Sequence, residues 1–275
     1  MKITFWGVRG SIPSPGPNTV RYGGNTPCIS AEAEPGLVVM LDAGTGARGL
    51  GKSLLPHLDD TRLALLISHV HWDHIQGLPF FGPIHDPRTN LDIYTRDPGE
   101  MSADEALAVQ MSDPFFPVDW RELPSKVRVK TITPGWFEVG GFQVRAAQVE
   151  HTETSLGFRL EHGSKSLVYT GDREGVPQGG GDESLLDLCA GADVLITDAQ
   201  YLAREYEARQ GWGHATVDQA LDLGRRSGAK HLVLFHHDPD RSDDELDALG
   251  RELADQAGDP GLQITLAHEG LVIDL

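Results

Sequence analysis

Cysteine is scarce in this chain. Cys28 and Cys189 are the only two among 275 residues, and neither stands in a Cys-x-x-Cys arrangement. That is too few for a disulfide framework and suits a reducing compartment. Positive charge is thin as well: 23 Lys and Arg face 41 Asp and Glu, for a formal net charge of −18. Phosphate backbones are gripped mainly by Lys and Arg, so this balance argues against large nucleic acids as partners and leaves a small anionic substrate open. Uninterrupted apolar runs are short of the roughly 18 to 20 residues that span a bilayer, and no membrane association is expected. The opening residues Met1-Lys2-Ile3-Thr4-Phe5-Trp6-Gly7 enter a strand-like pattern instead of a secretory leader. These absences together predict a cytoplasmic protein. No repeat of solenoid period is visible and nothing marks an internal boundary, so residues 1–275 are expected to form a single domain.

What is present is an ordinary globular composition, 39% hydrophobic and 23% charged, patterned as alternating strands and helices. Strands are predicted over 2–7, 28–32, 37–41, 63–67, 91–94, 127–132, 142–147, 157–160, 166–170, 193–197, 231–235, 263–266 and 271–275, and helices over 47–55, 102–111, 183–189, 217–227 and 243–256. Ser102 with Glu105 reads as a capping box. Residues 177–182 read as a flexible loop. The aromatic, Pro-punctuated stretch 113–120 reads as an insert that covers a site or meets another subunit. Two runs of strands followed by helices point to an α/β fold in which two sheets pack between helix layers.

The chain is organised around His69-Val70-His71-Trp72-Asp73-His74, directly after the apolar run Leu63-Ala64-Leu65-Leu66-Ile67. Three imidazoles and a carboxylate beside a buried strand are costly as packing. They are the ligand types expected for zinc, and to a lesser degree for manganese or iron. One ion would struggle to take all four side chains, so two neighbouring divalent ions are the natural reading.

Further ligand types recur at strand ends: His151, Asp172 after Thr170-Gly171, and His236 with His237 as its alternative. A layered α/β fold gathers strand ends along one edge, which lets distant residues converge. Asp42 and Asp198, also at strand ends, either orient imidazoles through their far nitrogens or cap the backbone that follows. His214 precedes a helix start, where the dipole disfavours protonation, so a neutral imidazole is expected. Arg9, Arg21 and Arg173 either contact a substrate phosphate or form surface ion pairs. His57, His85, His162, His231 and His268 are scattered and carry no assigned chemistry.

Taken together, these residues resemble the metallo-β-lactamase superfamily, whose H-x-H-x-D-H motif the block 69–74 matches at every position. The resemblance implies a four-layer αββα sandwich with a dinuclear site at one edge. It implies one ion on His69, His71 and His151, another on Asp73, His74 and His236, and Asp172 bridging both. The β-lactamases proper commonly place Cys where Asp172 stands. Gly24-Asn25-Thr26, Leu41-Asp42-Ala43-Gly44-Thr45-Gly46, Thr170-Gly171-Asp172 and Gly213-His214-Ala215-Thr216 instead resemble the phosphodiesterase side, which includes ribonuclease Z and cyclic-nucleotide phosphodiesterases. Ribonuclease Z carries a long arm for tRNA between the third histidine segment and the bridging Asp, whereas His151 and Asp172 are only 21 positions apart.

The expected activity is therefore hydrolysis of small phosphodiesters such as cyclic nucleotides by a metal-bridging hydroxide. Asp73 and His214 would take part in catalysis, His214 by stabilising the oxyanion or protonating the departing alkoxide. A thioester or lactone hydrolase, a ribonuclease Z-like RNA endonuclease and a non-catalytic metal-binding sensor are the alternatives. The phosphodiesterase relatives also imply a homodimer.

Overall fold

Alternation explains the layers before any tertiary contact is considered. In Leu37–Leu41, Val39 and Leu41 point one way and Val38 and Met40 the other. All four are apolar because both faces of this strand are buried. The same holds for Arg62–Leu66, where Ala64 and Leu66 share one face and Leu63 and Leu65 the other.

The computed structural model describes residues 1–152, 155–175, 183–256 and 261–275. In chain order the elements are β1 (Lys2–Gly7), β2 (Cys28–Glu32), β3 (Leu37–Leu41), α1 (Ala47–Leu54), β4 (Arg62–Leu66), α2 (Trp72–Ile75), β5 (Asn90–Thr95), α3 (Ala103–Gln110) and β6 (Lys126–Thr131). They continue with β7 (Gly135–Val139), β8 (Phe142–Val149), β9 (Ser155–His162), β10 (Lys165–Tyr169), α4 (Glu183–Cys189), β11 (Val194–Asp198), α5 (Ala203–Tyr206) and α6 (Val217–Ser227). β12 (His231–Phe235), α7 (Asp243–Gln256), β13 (Gln263–Leu266) and β14 (Val272–Asp274) complete the series.

Two seven-stranded sheets result, ordered β14-β1-β2-β3-β4-β5-β6 and β13-β12-β11-β10-β9-β8-β7. Each is half parallel and half antiparallel: β3 to β6 run parallel in the first and β10 to β13 in the second. Their facing sides share one core, with Phe5, Leu41 and Leu66 from the first meeting Phe158, Tyr169, Ile196 and Phe235 from the second. The outer face of the first sheet packs on α1 and α3 through Leu50, Leu54 and Leu107. The outer face of the second packs on α4, α6 and α7 through Leu188, Leu221 and Leu246. The αββα order implied by the sequence is the architecture observed.

Local signals account for several boundaries. Ser102 accepts from the Glu105 amide and Glu105 reaches back, as the capping box requires. Thr216 and Gln219 form another at the start of α6, which stops at Gly228 with φ 66°. The two motifs Gly24-Asn25-Thr26 and Gly44-Thr45-Gly46 lock together, Thr26 N donating to Thr45 Oγ1 at 2.9 Å and Thr45 N to Thr26 Oγ1 at 2.8 Å.

Other boundaries moved. The strand expected at 157–160 runs from Ser155 to His162, because His162 and Glu161 continue the ladder to β10. β7 was not anticipated; it is an edge strand with Trp136 55% exposed, so its apolar pattern is weak. Of the insert 113–120, Trp120 is buried under α3 while Phe115 stays exposed. The loop expected at 177–182 lies outside the described residues. Among the described residues no helix is long and apolar enough to cross a membrane.

Candidate metal centre

The carboxyl ends of β3, β4, β10, β11 and β12 open at one edge, where strand-end ligands of an α/β sheet are expected to meet. After Leu66 the chain leaves the ladder, and Ser68 and His69 are buried at the strand end. His71 precedes the single turn α2. Successive side chains on that turn are about 100° apart, which leaves Trp72 exposed while Asp73 and His74 point inward.

The inward groups crowd closely. His74 Nε2 lies 3.3 Å from Asp73 Oδ2 and 3.1 Å from Asp172 Oδ2. His236 Nε2 lies 3.1 Å from Asp73 Oδ2 and 3.2 Å from Asp172 Oδ1. His69 Nε2 is 3.8 Å from Asp172 Oδ2, and His151 Nε2 is 3.2 Å from His71 Nδ1. Ligand-type atoms of His69, His71 and His151 form one group, and those of Asp73, His74, Asp172 and His236 a second, each group within 4.8 Å. Asp172 touches residues of both. His236 faces the centre while His237 turns away, bonding the Ala267 carbonyl at 2.8 Å, and burial pushes the His237 pKa down to about 3.

The far nitrogens are held from outside. His74 Nδ1 donates to Asp42 Oδ2 at 2.7 Å, His151 Nδ1 to the Gly213 carbonyl at 2.7 Å, and His236 Nδ1 to Gln200 Oε1 at 2.8 Å. Ser68 Oγ donates to Asp42 Oδ2 at 2.9 Å and stands 3.0 Å from His69 Nδ1, whose N–H it can accept. With these four Nδ1 atoms engaged, the Nε2 atoms of His69, His74, His151 and His236 are turned inward, whereas His71 turns its Nδ1 toward His151. His69 Nε2, His74 Nε2 and Asp172 Oδ1 are buried without a directed hydrogen bond. Ring nitrogens converging with two carboxylates are a donor set that fits a divalent cation. With no cation bound, burial opposes charge on both Asp172 and His74, yet His236 and His74 hold the Asp172 carboxyl well below the usual range. Asp172, Asp73 and Asp42 raise His74, so a cation there would replace a proton on His74 Nε2. Burial likewise pushes His69 down, which keeps its lone pair available.

His214 differs from the expectation of a neutral helix-start imidazole. Thr216 caps α6, and His214 Nδ1 instead bonds Asp198 Oδ2 at 2.9 Å. Burial lowers its pKa, but Asp198, with Asp172 and Asp73, outweighs burial, and the value rises to about 9. A cation bound between His236 and Asp172 would oppose that rise. Asp198 thus holds His214, and Asp42 holds His74, Ser68 and the Tyr169 hydroxyl at 2.6 Å.

The three arginines reach neither expected fate uniformly. Arg9 is fully buried on the carbonyls of Gly23, Asp238 and Arg241, and Arg173 is buried against Thr197. Arg21 makes surface pairs with Asp244 and Asp247. His85, His162, His231 and His268 bond groups elsewhere in the fold.

A family model described as a beta-lactamase superfamily domain matches residues 38–237. The chain belongs to this superfamily. Among curated proteins it is 25% identical to a ribonuclease Z of Methanothermobacter thermautotrophicus, covering 86% of each chain. It is 23% identical to the zinc phosphodiesterase ELAC protein 2 homolog of Caenorhabditis elegans, where 86% of this chain spans only 32% of that protein. Among solved structures it resembles the metallo-β-lactamase fold protein YhfI of Bacillus subtilis, with TM-score 0.72, 21% identity and 99% of each chain covered. A diphosphatase of the PhnP family gives TM-score 0.68 at 20% identity, over 100% of this chain and 97% of that one.

Within this member of the beta-lactamase superfamily, Ser68, Gln200 and the Gly213 carbonyl escaped the sequence reading. Gln200 and the Gly213 carbonyl reach an imidazole only through the tertiary arrangement, while Ser68 adjoins His69 in sequence. Gly213 left one faint signal, a glycine beside a candidate histidine: its φ is +87°, and a Cβ there would stand 2.4 Å from His151 Nδ1.

Proposed function

We propose that this chain is a metal-dependent hydrolase acting on phosphodiesters, with two divalent ions, most simply zinc. His69, His71 and His151 would hold one ion and Asp73, His74 and His236 the other, with Asp172 between them. The observation that carries this reading is the inward set of ring nitrogens, four of which, on His69, His74, His151 and His236, have the opposite nitrogen engaged by an outer group. Two such ions supply a water of near-neutral pKa and Lewis acidity toward phosphoryl oxygens.

The chain's own groups supply the rest. Asp42, Gln200 and the Gly213 carbonyl fix imidazole orientation, so little reorganisation accompanies the reaction. The net change adds water across one P–O bond: a new P–O bond forms, the ester P–O bond breaks, and one proton ends on the departing alkoxide. His214 would give that proton from Nε2, its Nδ1 being engaged by Asp198. The names of the relatives, a zinc phosphodiesterase and a ribonuclease Z, support phosphodiesters over thioesters or lactones.

The test is metal content with hydrolysis of bis(p-nitrophenyl) phosphate. His69→Ala and Asp172→Ala should lose both, whereas His214→Ala should keep its metal and lose at least about 100-fold in turnover. Unchanged metal stoichiometry in both ligand variants would sink the assignment.

The ribonuclease Z relative favours one second reading, cleavage of RNA. Against it stand the net charge of −18 and the stretch from His151 to Asp172, whose described residues form only the β9–β10 hairpin. Side-by-side turnover of a tRNA precursor and a cyclic nucleotide decides between them.

A further inference from the structure

A pocket of about 240 Å³ opens beside His214 on the side of the centre occupied by His236 and Asp172. Its floor is continuous with the site: the Tyr201 ring meets His214 edge-on at 5.8 Å, and Arg209 lies over Tyr201 at 5.0 Å. Trp212 forms part of the wall and is 60% exposed. Ser11 and Gln200 add polar atoms at the inner end, where Gln200 Nε2 and Ser11 Oγ are 3.4 Å apart.

These features select a chemistry. An exposed indole beside a guanidinium carried on a second aromatic ring is a stacking platform for a flat, π-rich group. The volume falls below the roughly 300–1,000 Å³ of drug-sized ligand sites, so it takes one such group and not a stack of them. Asp238 and Asp240 also line the pocket, and Glu205 stands 3.8 Å from Arg209, so a second phosphate would meet carboxylates there.

We propose that this pocket binds the nucleobase of a mononucleotide whose phosphate sits at the metal centre, with Trp212 as the stacking residue and Arg209 as its support. The proposal rests on the phosphodiesterase reading and narrows it to single nucleotides. Trp212 and Arg209 are specificity residues and have no part in bond breaking.

Binding to the metal-loaded protein, followed by calorimetry, tests this with adenosine 5′-monophosphate against ribose 5-phosphate, which lacks the base. The wild type should bind the nucleotide about tenfold more tightly or better. Trp212→Ala should erase that preference, Trp212→Tyr should keep most of it, and Arg209→Ala should reduce it. The ribose 5-phosphate affinity of each variant reports separately whether the neighbouring Gly213 carbonyl has shifted. Equal affinity of the wild type for the two ligands, or a preference that survives Trp212→Ala, overturns the pocket. A base preference in a wild type that hydrolyses no phosphodiester supports the pocket and overturns the proposed reaction. Hydrolysis of methyl p-nitrophenyl phosphate without base preference does the reverse.

Discussion

Asp42 concentrates more of the centre's order than any ligand. Its φ of 57° is a left-handed conformation that Asp tolerates at some cost, and its two oxygens hold Ser68, His74 and Tyr169. Asp42→Ala should therefore weaken metal affinity by roughly 10- to 100-fold although no ligand is removed. Chelator competition measures this, and wild-type affinity would show the tether to be idle. The ligand-type residues were legible in the sequence because dense polar groups beside an apolar strand are unusual. Their outer partners were not: Gln200 and Ser68 are common residues, Gln200 meets His236 only through the pairing of β11 with β12, and Ser68, although next to His69, is distinguished only by its bond to Asp42. His214 shows the same limit, since its local helix start pointed one way and Asp198, 16 positions earlier, decides the other.

At the scale of elements, continuous apolar runs made the doubly buried strands readable, and β7 escaped because an aromatic, Trp136, stands on its exposed face with Glu138. The capping box placed α3 closely, and the amphipathic pattern placed α6. Thr216→Ala removes the α6 cap and should cost about 1 kcal/mol, seen as a drop of ~2–4 °C in Tm. The edge away from the metal centre has its own tie: Asp193, ahead of β11, accepts from Ser166 N at 2.9 Å and Lys230 Nζ at 2.7 Å. Burial raises the Asp193 pKa, but Lys230 and Ser166 prevail and hold it below its ordinary 3.8. A lowered folded value means stability that is present above pH 3.8 and lost as pH falls through the folded pKa. The Tm difference between the wild type and Asp193→Asn should thus be widest above about pH 5 and narrow below the ordinary carboxylate range. A pH-independent difference would refute the linkage.

For the whole molecule, the αββα order was legible because strands and helices alternate in two runs, while the pairing of β14 with β1 required the folded chain. The core shared by both sheets leads us to propose that residues 1–275 unfold as one unit, giving a single calorimetric transition. Phe158→Ala, in that core, should lower stability by about 3–5 kcal/mol without splitting the transition. Two separated transitions would divide the chain into independent halves. The crowded ligand atoms of the centre, with His69 Nε2, His74 Nε2 and Asp172 Oδ1 lacking a directed hydrogen bond, carry a consequence for the folded population itself. A chain that buries them bare folds against their desolvation, so bound cation acts as a folding ligand, worth about 2.7 kcal/mol when free metal exceeds its dissociation constant a hundredfold. Chelation should lower Tm accordingly, and the fraction of this protein that survives in a cell would then track the free concentration of its metal.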